Sequence, residues 1–125
     1  MGSPVAPLRT LENALWLSPV ERDAILRFEA GLAALLGAHL EGVILFGSRA
    51  RGEGSQESDL DLAVVLSGDE GPHWRRIVDL ATELNLEFEY WVRISPLVLS
   101  RAKLQGLWER ERAIASAILG EGIVV

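Results

Sequence analysis

Cysteine is absent from all 125 residues, which excludes disulfides and thiolate metal sites and suits the cytosol. Histidine is nearly absent: His39 and His73 each lack a second ligand-spaced histidine or carboxylate, so both read as surface residues. Long hydrophobic runs are missing too, since no apolar stretch approaches the ~20 residues that a membrane-crossing helix requires. The first residues carry neither the basic flank nor the long apolar segment of a signal peptide. Ala6 stands where the N-myristoylation pattern needs Ser or Thr. The expectation is a soluble, cytoplasmic protein with no membrane partner. Positive charge is also in deficit: 12 Lys and Arg against 18 Asp and Glu give a net charge of −6 and a pI near 4.9. The basic residues form short pairs (Arg75-Arg76, Arg101/Lys103, Arg110/Arg112) interleaved with acids. A protein that tracks a polyanion carries a basic stripe, so a long nucleic acid is not an expected partner.

What is present is an ordinary globular balance, 49% hydrophobic and 24% charged, on a length that supports one core and one domain. Residues 8–17 admit a short helix that packs Leu11, Leu15 and Trp16 on the core. Ser18-Pro19 followed by Glu21 is a capping box with proline at the first helical position. Ile25, Phe28, Leu32, Leu35 and Leu36 then recur at helical spacing up to Gly37. Val43 to Phe46 reads as a strand buried on both faces, and alternation predicts a second strand from Asp59 to Leu66. Trp74, Ile77, Val78, Ala81 and Leu84 mark a second helix. Leu86 to Ile94 alternates again, with Glu87, Glu89, Trp91 and Arg93 on the polar face of a third strand. Leu104, Leu107, Trp108, Ile114 and Ile118 mark a last helix, with Glu109 to Arg112 as its solvated face, before the apolar tail Ile123 to Val125. This order predicts an α/β (α+β) domain, a small mixed β-sheet with flanking helices.

Two local patterns carry chemistry. Gly47-Ser48 ends the first strand where a glycine lets the backbone turn and a ligand approach main-chain N–H groups. If Ser48 caps a short helix beginning at Arg49, free amides there form an anion site. Asp59 and Asp61, two apart on a strand, project from one face ~6–7 Å apart along the chain. Two unpaired carboxylates repel, and a hard divalent cation such as Mg²⁺ reverses that penalty. Taken alone, each pattern is more often a plain turn or a solvent-facing acid pair. Gly47 and Gly52 have Walker-A spacing, but Glu53-Gly54 stands where Lys and Ser/Thr are needed, and Glu57 breaks a G-x-G-x-x-G reading of Gly52-x-Gly54. The combination, a Gly-Ser turn ending one apolar strand and Asp-x-Asp opening the next, is what points to a nucleotide site.

Gly47-Ser48-Arg49-Ala50-Arg51-Gly52 … Ser58-Asp59-Leu60-Asp61-Leu62 resembles the signature of the DNA polymerase β-type nucleotidyltransferase superfamily, within it the minimal nucleotidyltransferase group. A fainter likeness runs through Ile94 to Ser100 and the Glu121-Gly122-Ile123 ending. The resemblance implies a nucleotidyltransferase domain over residues 18–125, with residues 1–17 as an extension. It further implies that Gly47, Ser48, Arg51 and Ser58 bind the nucleoside triphosphate, ATP or another NTP, with Arg49 as a further source of positive charge. Asp59 and Asp61 would bind two Mg²⁺ ions for in-line transfer. A third carboxylate from a later strand is implied as metal ligand or base; Glu89 is the first choice from its offset to the Ile94–Ser100 segment, and Glu87 the second. Trp91 could stack a base, although packing under a helix is the plainer reading, and Trp74 and Trp108 read as core. By family role the product is a nucleoside monophosphate, AMP from ATP, on a hydroxyl acceptor, such as one on a HEPN-type partner toxin. The alternatives are a non-catalytic, antitoxin-like module acting by occlusion, and transfer to an RNA end or a small molecule. Self-association is left open.

Overall fold

Ser18 starts the first long helix as the capping box requires. Its hydroxyl accepts the Glu21 N–H at 3.1 Å, and the Glu21 carboxylate accepts the Ser18 N–H at 2.9 Å. The computed structural model describes residues 9–110 and 112–125. Helix α1, Pro19–Leu36, buries Ala24, Ile25, Phe28, Leu32 and Leu36. The periodic apolar face predicted this, except that Leu35 is left exposed. Strand β2, Leu40–Phe46, and strand β3, Leu60–Leu66, pair antiparallel with Phe46 opposite Asp61. Helix α2 spans Gly71–Glu87, and strand β4, Ile94–Ser100, runs parallel to β3. Helices α3, Arg101–Arg110, and α4, Arg112–Leu119, lie on either side of residue 111, where the last helix is predicted. Strand β5, Ile123–Val124, lies between β2 and a two-residue strand β1, Arg9–Thr10, so the mixed sheet has the order β1-β5-β2-β3-β4.

Alternate side chains of the central strands serve two cores. Val43, Leu45, Leu60, Leu62, Val64 and Leu66 pack with α1 and α2 residues. Ile44, Ala63, Val65 and Leu99 pack with Leu104, Leu107, Ala115 and Ile118 of α3 and α4. The double burial of β2 and β3 follows from this. Gly122 closes the α4–β5 corner: a Cβ added there would collide with the Ile118 carbonyl and with Ile44 Cγ2. The carbonyl is backbone and cannot turn aside. Gly122→Ala is therefore expected to cost about 1–3 kcal/mol, read as a lower urea midpoint with an unchanged slope.

Three expectations need correction. The segment before Ser18 is not a helix: β1 leads into a 3₁₀ turn at Leu11–Asn13, Leu11 is buried, and Leu15 is 83% exposed. Leu86 to Ile94 is not a strand. Helix α2 continues through Glu87, a turn follows, and the strand starts only at Ile94. Asn85 makes that turn: its side-chain amide donates to the Ile94 carbonyl at 3.1 Å and its oxygen accepts the Ile94 N–H at 2.8 Å. Glu89 and Tyr90 both take positive φ, 54° and 60°, a conformation that non-glycine residues rarely adopt. Lastly, Trp74 is half exposed rather than core, while Trp108 does pack against the second core. The histidines are not isolated either, since the rings of His39 and His73 lie 4.9 Å apart. Among the described residues no helix is long and apolar enough to cross a membrane. The reading of residues 1–8 lies outside the described residues.

Candidate active site

Gly47 ends β2 at φ 78°, ψ −160° and opens a 3₁₀ turn, Ser48–Arg51, that closes on Gly52 in the left-handed region. The cap position is thus Gly47 rather than Ser48, and no side chain caps the turn. Glycine is required here twice over. A side chain disfavours this φ, and an added Cβ would sit 2.5 Å from Asp61 Oδ2. Turn backbone and carboxylate are therefore in direct contact. Gly47→Ala is expected to lose about 1–3 kcal/mol of stability and to displace Asp61, so label transfer from nucleotide should fall along with the thermal midpoint.

Across the loop, Gly54 (φ +72°) does the same for two hydroxyls: a Cβ there would meet Ser58 Oγ at 2.5 Å and Ser48 Oγ at 3.3 Å. Ser58 Oγ also accepts the Ser55 N–H at 3.1 Å. Gly47, Ser48, Ser58 and Asp61 are thereby gathered at one end of the sheet. Asp59 is exposed and Asp61 half-buried. Burial first, and then the charge of Asp59, push the Asp61 carboxyl above its ordinary value of 3.8.

The arginines divide differently from expectation. Arg49 is 5% exposed and points inward. Its guanidinium grips Glu21 through Nε at 2.9 Å and Nη2 at 2.8 Å, and Nη1 donates to the Glu53 carbonyl at 3.1 Å. It braces the loop instead of offering charge to phosphate. The Arg51 guanidinium pairs with Glu53 at 3.1 Å and lies 3.7 Å from Glu121.

The two candidates for the third carboxylate lie outside the strand predicted to carry them. Glu87 ends α2 in an exposed ion pair with Arg27, and Glu89 stands in the turn after it. Among the described residues no third His, Cys, Asp or Glu joins Asp59 and Asp61 in a metal-binding group. The strand that does flank β3 places Ser95 beside Asp61. One step earlier, the Arg93 carbonyl accepts the Leu60 N–H at 2.8 Å, and Arg93 Nε donates to Asp59 Oδ1 at 2.9 Å. Trp91 is 70% exposed, not core. It lines a cavity of about 310 Å³ with Gln56, Glu57, Tyr90 and Arg93.

The family model described as Polymerase beta, Nucleotidyltransferase matches residues 35–125. The chain belongs to that family. Two relatives from Methanocaldococcus jannaschii, MJ0141 and MJ0604, are named as candidate protein adenylyltransferases. The first is 30% identical over 82 residues, covering 63% of this chain and 79% of the relative. The second is 36% identical over 80 residues, covering 64% and 74%. A solved chain from a mutant toxin–antitoxin MntA–HpeT is 15% identical, with a TM-score of 0.48 over 82% of this chain and 69% of its own. In this nucleotidyltransferase two site features had no local sequence signal. Arg93 meets Asp59 from 34 residues away, and Arg49 meets Glu21 from 28.

Proposed function

We propose that this nucleotidyltransferase moves AMP from ATP to a hydroxyl group on a protein partner, using Mg²⁺ held by Asp59 and Asp61. The observation that carries the reading is the contact between the Gly47 turn and Asp61, with the charge of Asp59 acting on Asp61 from the residue just before the strand. The names of the relatives, protein adenylyltransferases at 30% and 36% identity, support a protein acceptor, and a HEPN-type partner is the acceptor suggested by the family resemblance. The donor set fits a hard cation: two carboxylates with hydroxyl and main-chain groups beside them, one carboxyl destabilised as an anion by burial and by its neighbour. Bound Mg²⁺ would polarise the α-phosphate and neutralise charge developing on pyrophosphate.

The chain's own groups do the rest. The Gly47 backbone lets phosphate oxygens come close to the turn, and the Ser48 and Ser58 hydroxyls donate to them. With no third carboxylate gathered at Asp59 and Asp61 among the described residues, the donor set supports one firmly held ion better than two. That same observation favours a second reading, a nucleotide-binding module that neutralises its partner by occlusion.

The test is incubation with Mg²⁺, α-labelled ATP and the protein encoded by the neighbouring gene. Label on the partner with the wild-type chain, absent with Asp59→Ala/Asp61→Ala, supports transfer. Partner binding without label in either supports occlusion.

A further inference from the structure

Arg93 is fixed at its root and loose at its tip. Its carbonyl is tied to the Leu60 N–H at 2.8 Å, which locks the residue beside Asp59 where β4 meets β3. Its guanidinium donates to Asp59 Oδ1 at 2.9 Å and to the Glu57 carbonyl, yet the Arg93 and Asp59 side chains are 50% and 55% exposed. Exposed pairs of this kind are weakly held and readily exchanged. A guanidinium offers N–H donors and no acceptor lone pair, so it cannot act as the base or metal ligand that a carboxylate in this place would supply. A cation drawn to Asp59 competes with the guanidinium for the Oδ1 lone pairs and for the charge of the carboxylate. On the Ser48–Arg51 turn, Arg49 is committed to the buried Glu21, while Arg51 pairs with Glu53 in an exposed contact like that of Arg93.

We infer that Arg93 exchanges partners during nucleotide binding: it is the counter-ion of Asp59 until the metal–nucleotide arrives, and then a ligand of the triphosphate. The inference rests on the reading of Asp59 and Asp61 as the Mg²⁺–nucleotide site. Once metal takes the aspartates, the triphosphate still carries excess negative charge. A planar guanidinium released at that edge meets phosphate oxygens in a two-pronged geometry. The cavity it lines with Gln56, Glu57, Tyr90 and Trp91 gives it room to swing. Asp59 is thus protected from charge repulsion with Asp61, and metal is admitted chiefly together with nucleotide.

Two titrations test this on the full chain: Mn²⁺ binding without nucleotide, by electron paramagnetic resonance, and a non-hydrolysable ATP analogue with Mg²⁺, by calorimetry. Arg93→Ala is expected to bind Mn²⁺ about three- to fivefold more tightly and the analogue at least about tenfold more weakly. Arg93→Lys should restore the weak Mn²⁺ binding but only part of the analogue affinity. Unchanged analogue affinity in Arg93→Ala overturns the inference, and so does unchanged or weaker Mn²⁺ binding, with thermal melts confirming that the variants fold. The underlying reading fails separately, if Asp59→Asn/Asp61→Asn binds both probes as the wild type does.

Discussion

Asp61→Asn is expected to lower nucleotidyl transfer on the order of 10³-fold while raising the melting temperature. The two effects share one cause. Asp61 sits half-buried against the Gly47 turn with Asp59 two residues away, and burial, followed by the Asp59 charge, lifts its pKa above 3.8. A carboxyl whose folded pKa is raised binds its proton more tightly in the folded than in the unfolded chain. Its contribution is therefore favourable at acid pH and is lost as pH rises through the raised folded value, leaving a destabilising charge at pH 7. Asparagine keeps the shape and removes the charge. Melting curves from pH 3 to pH 8 should show the wild type losing ground to the variant as Asp61 ionises, with the gap holding at neutral pH. A variant that melts lower than wild type at pH 7, or that still transfers label efficiently, would show that the carboxylate is not strained for function.

Arg49→Met is expected to cost about 3–5 kcal/mol, because it strands the Glu21 carboxylate in the core. Glu21 is 0% exposed. Burial opposes its charge, but the Arg49 hydrogen bonds and charge, together with the Ser18 N–H, outweigh burial and hold the pKa below 4.5. The pair's contribution is then complete above that value and disappears as pH falls through the lower folded pKa. Pairing the variant with Glu21→Leu should recover much of the loss, since removing both charges leaves no ion without a partner. The remaining deficit reflects the bonds that Arg49 makes to the Glu53 and Trp16 carbonyls and the Ser18 N–H that Glu21 accepts in the capping box. Urea denaturation of the two single variants and the double at pH 7 measures the coupling.

The elements that sequence periodicity located are those in which local pattern and tertiary demand coincide. The α1 capping box and stripe, the unbroken apolar run of β2, and the alternation of β3 are each satisfied within a few residues. The Leu86–Ile94 reading failed for a physical reason. Its alternation is incidental to a helix whose Ile77, Ala81 and Leu84 face carries on to Phe88, and whose end is set by Asn85 bonding to Ile94. The true strand contains Pro96, which argues against a central strand, but β4 is an edge strand, where a missing N–H is tolerated. That misplacement put Glu89 on a strand face it does not occupy and left the Arg93–Asp59 pair unforeseen. The Gly47-Ser48 and Asp59/Asp61 halves were legible because both lie at strand ends that pair directly. The inward turn of Arg49 was not, since nothing near it in sequence announces a buried carboxylate.

Trp16 fixes the turn at which nucleotide is proposed to bind. Its indole N–H donates to the Arg49 carbonyl, and its ring lies under Gly52, with Arg9 stacked over it 5.4 Å away. The segment before α1 thus holds the back of the Ser48–Arg51 turn in one conformation. Ordering a four-residue turn costs several kcal/mol of backbone entropy, and here folding has already met that cost. Ligand binding is left to supply only its own immobilisation. On the proposed reading, affinity for a triphosphate would thus be set in part by a tryptophan outside the turn that is proposed to hold it.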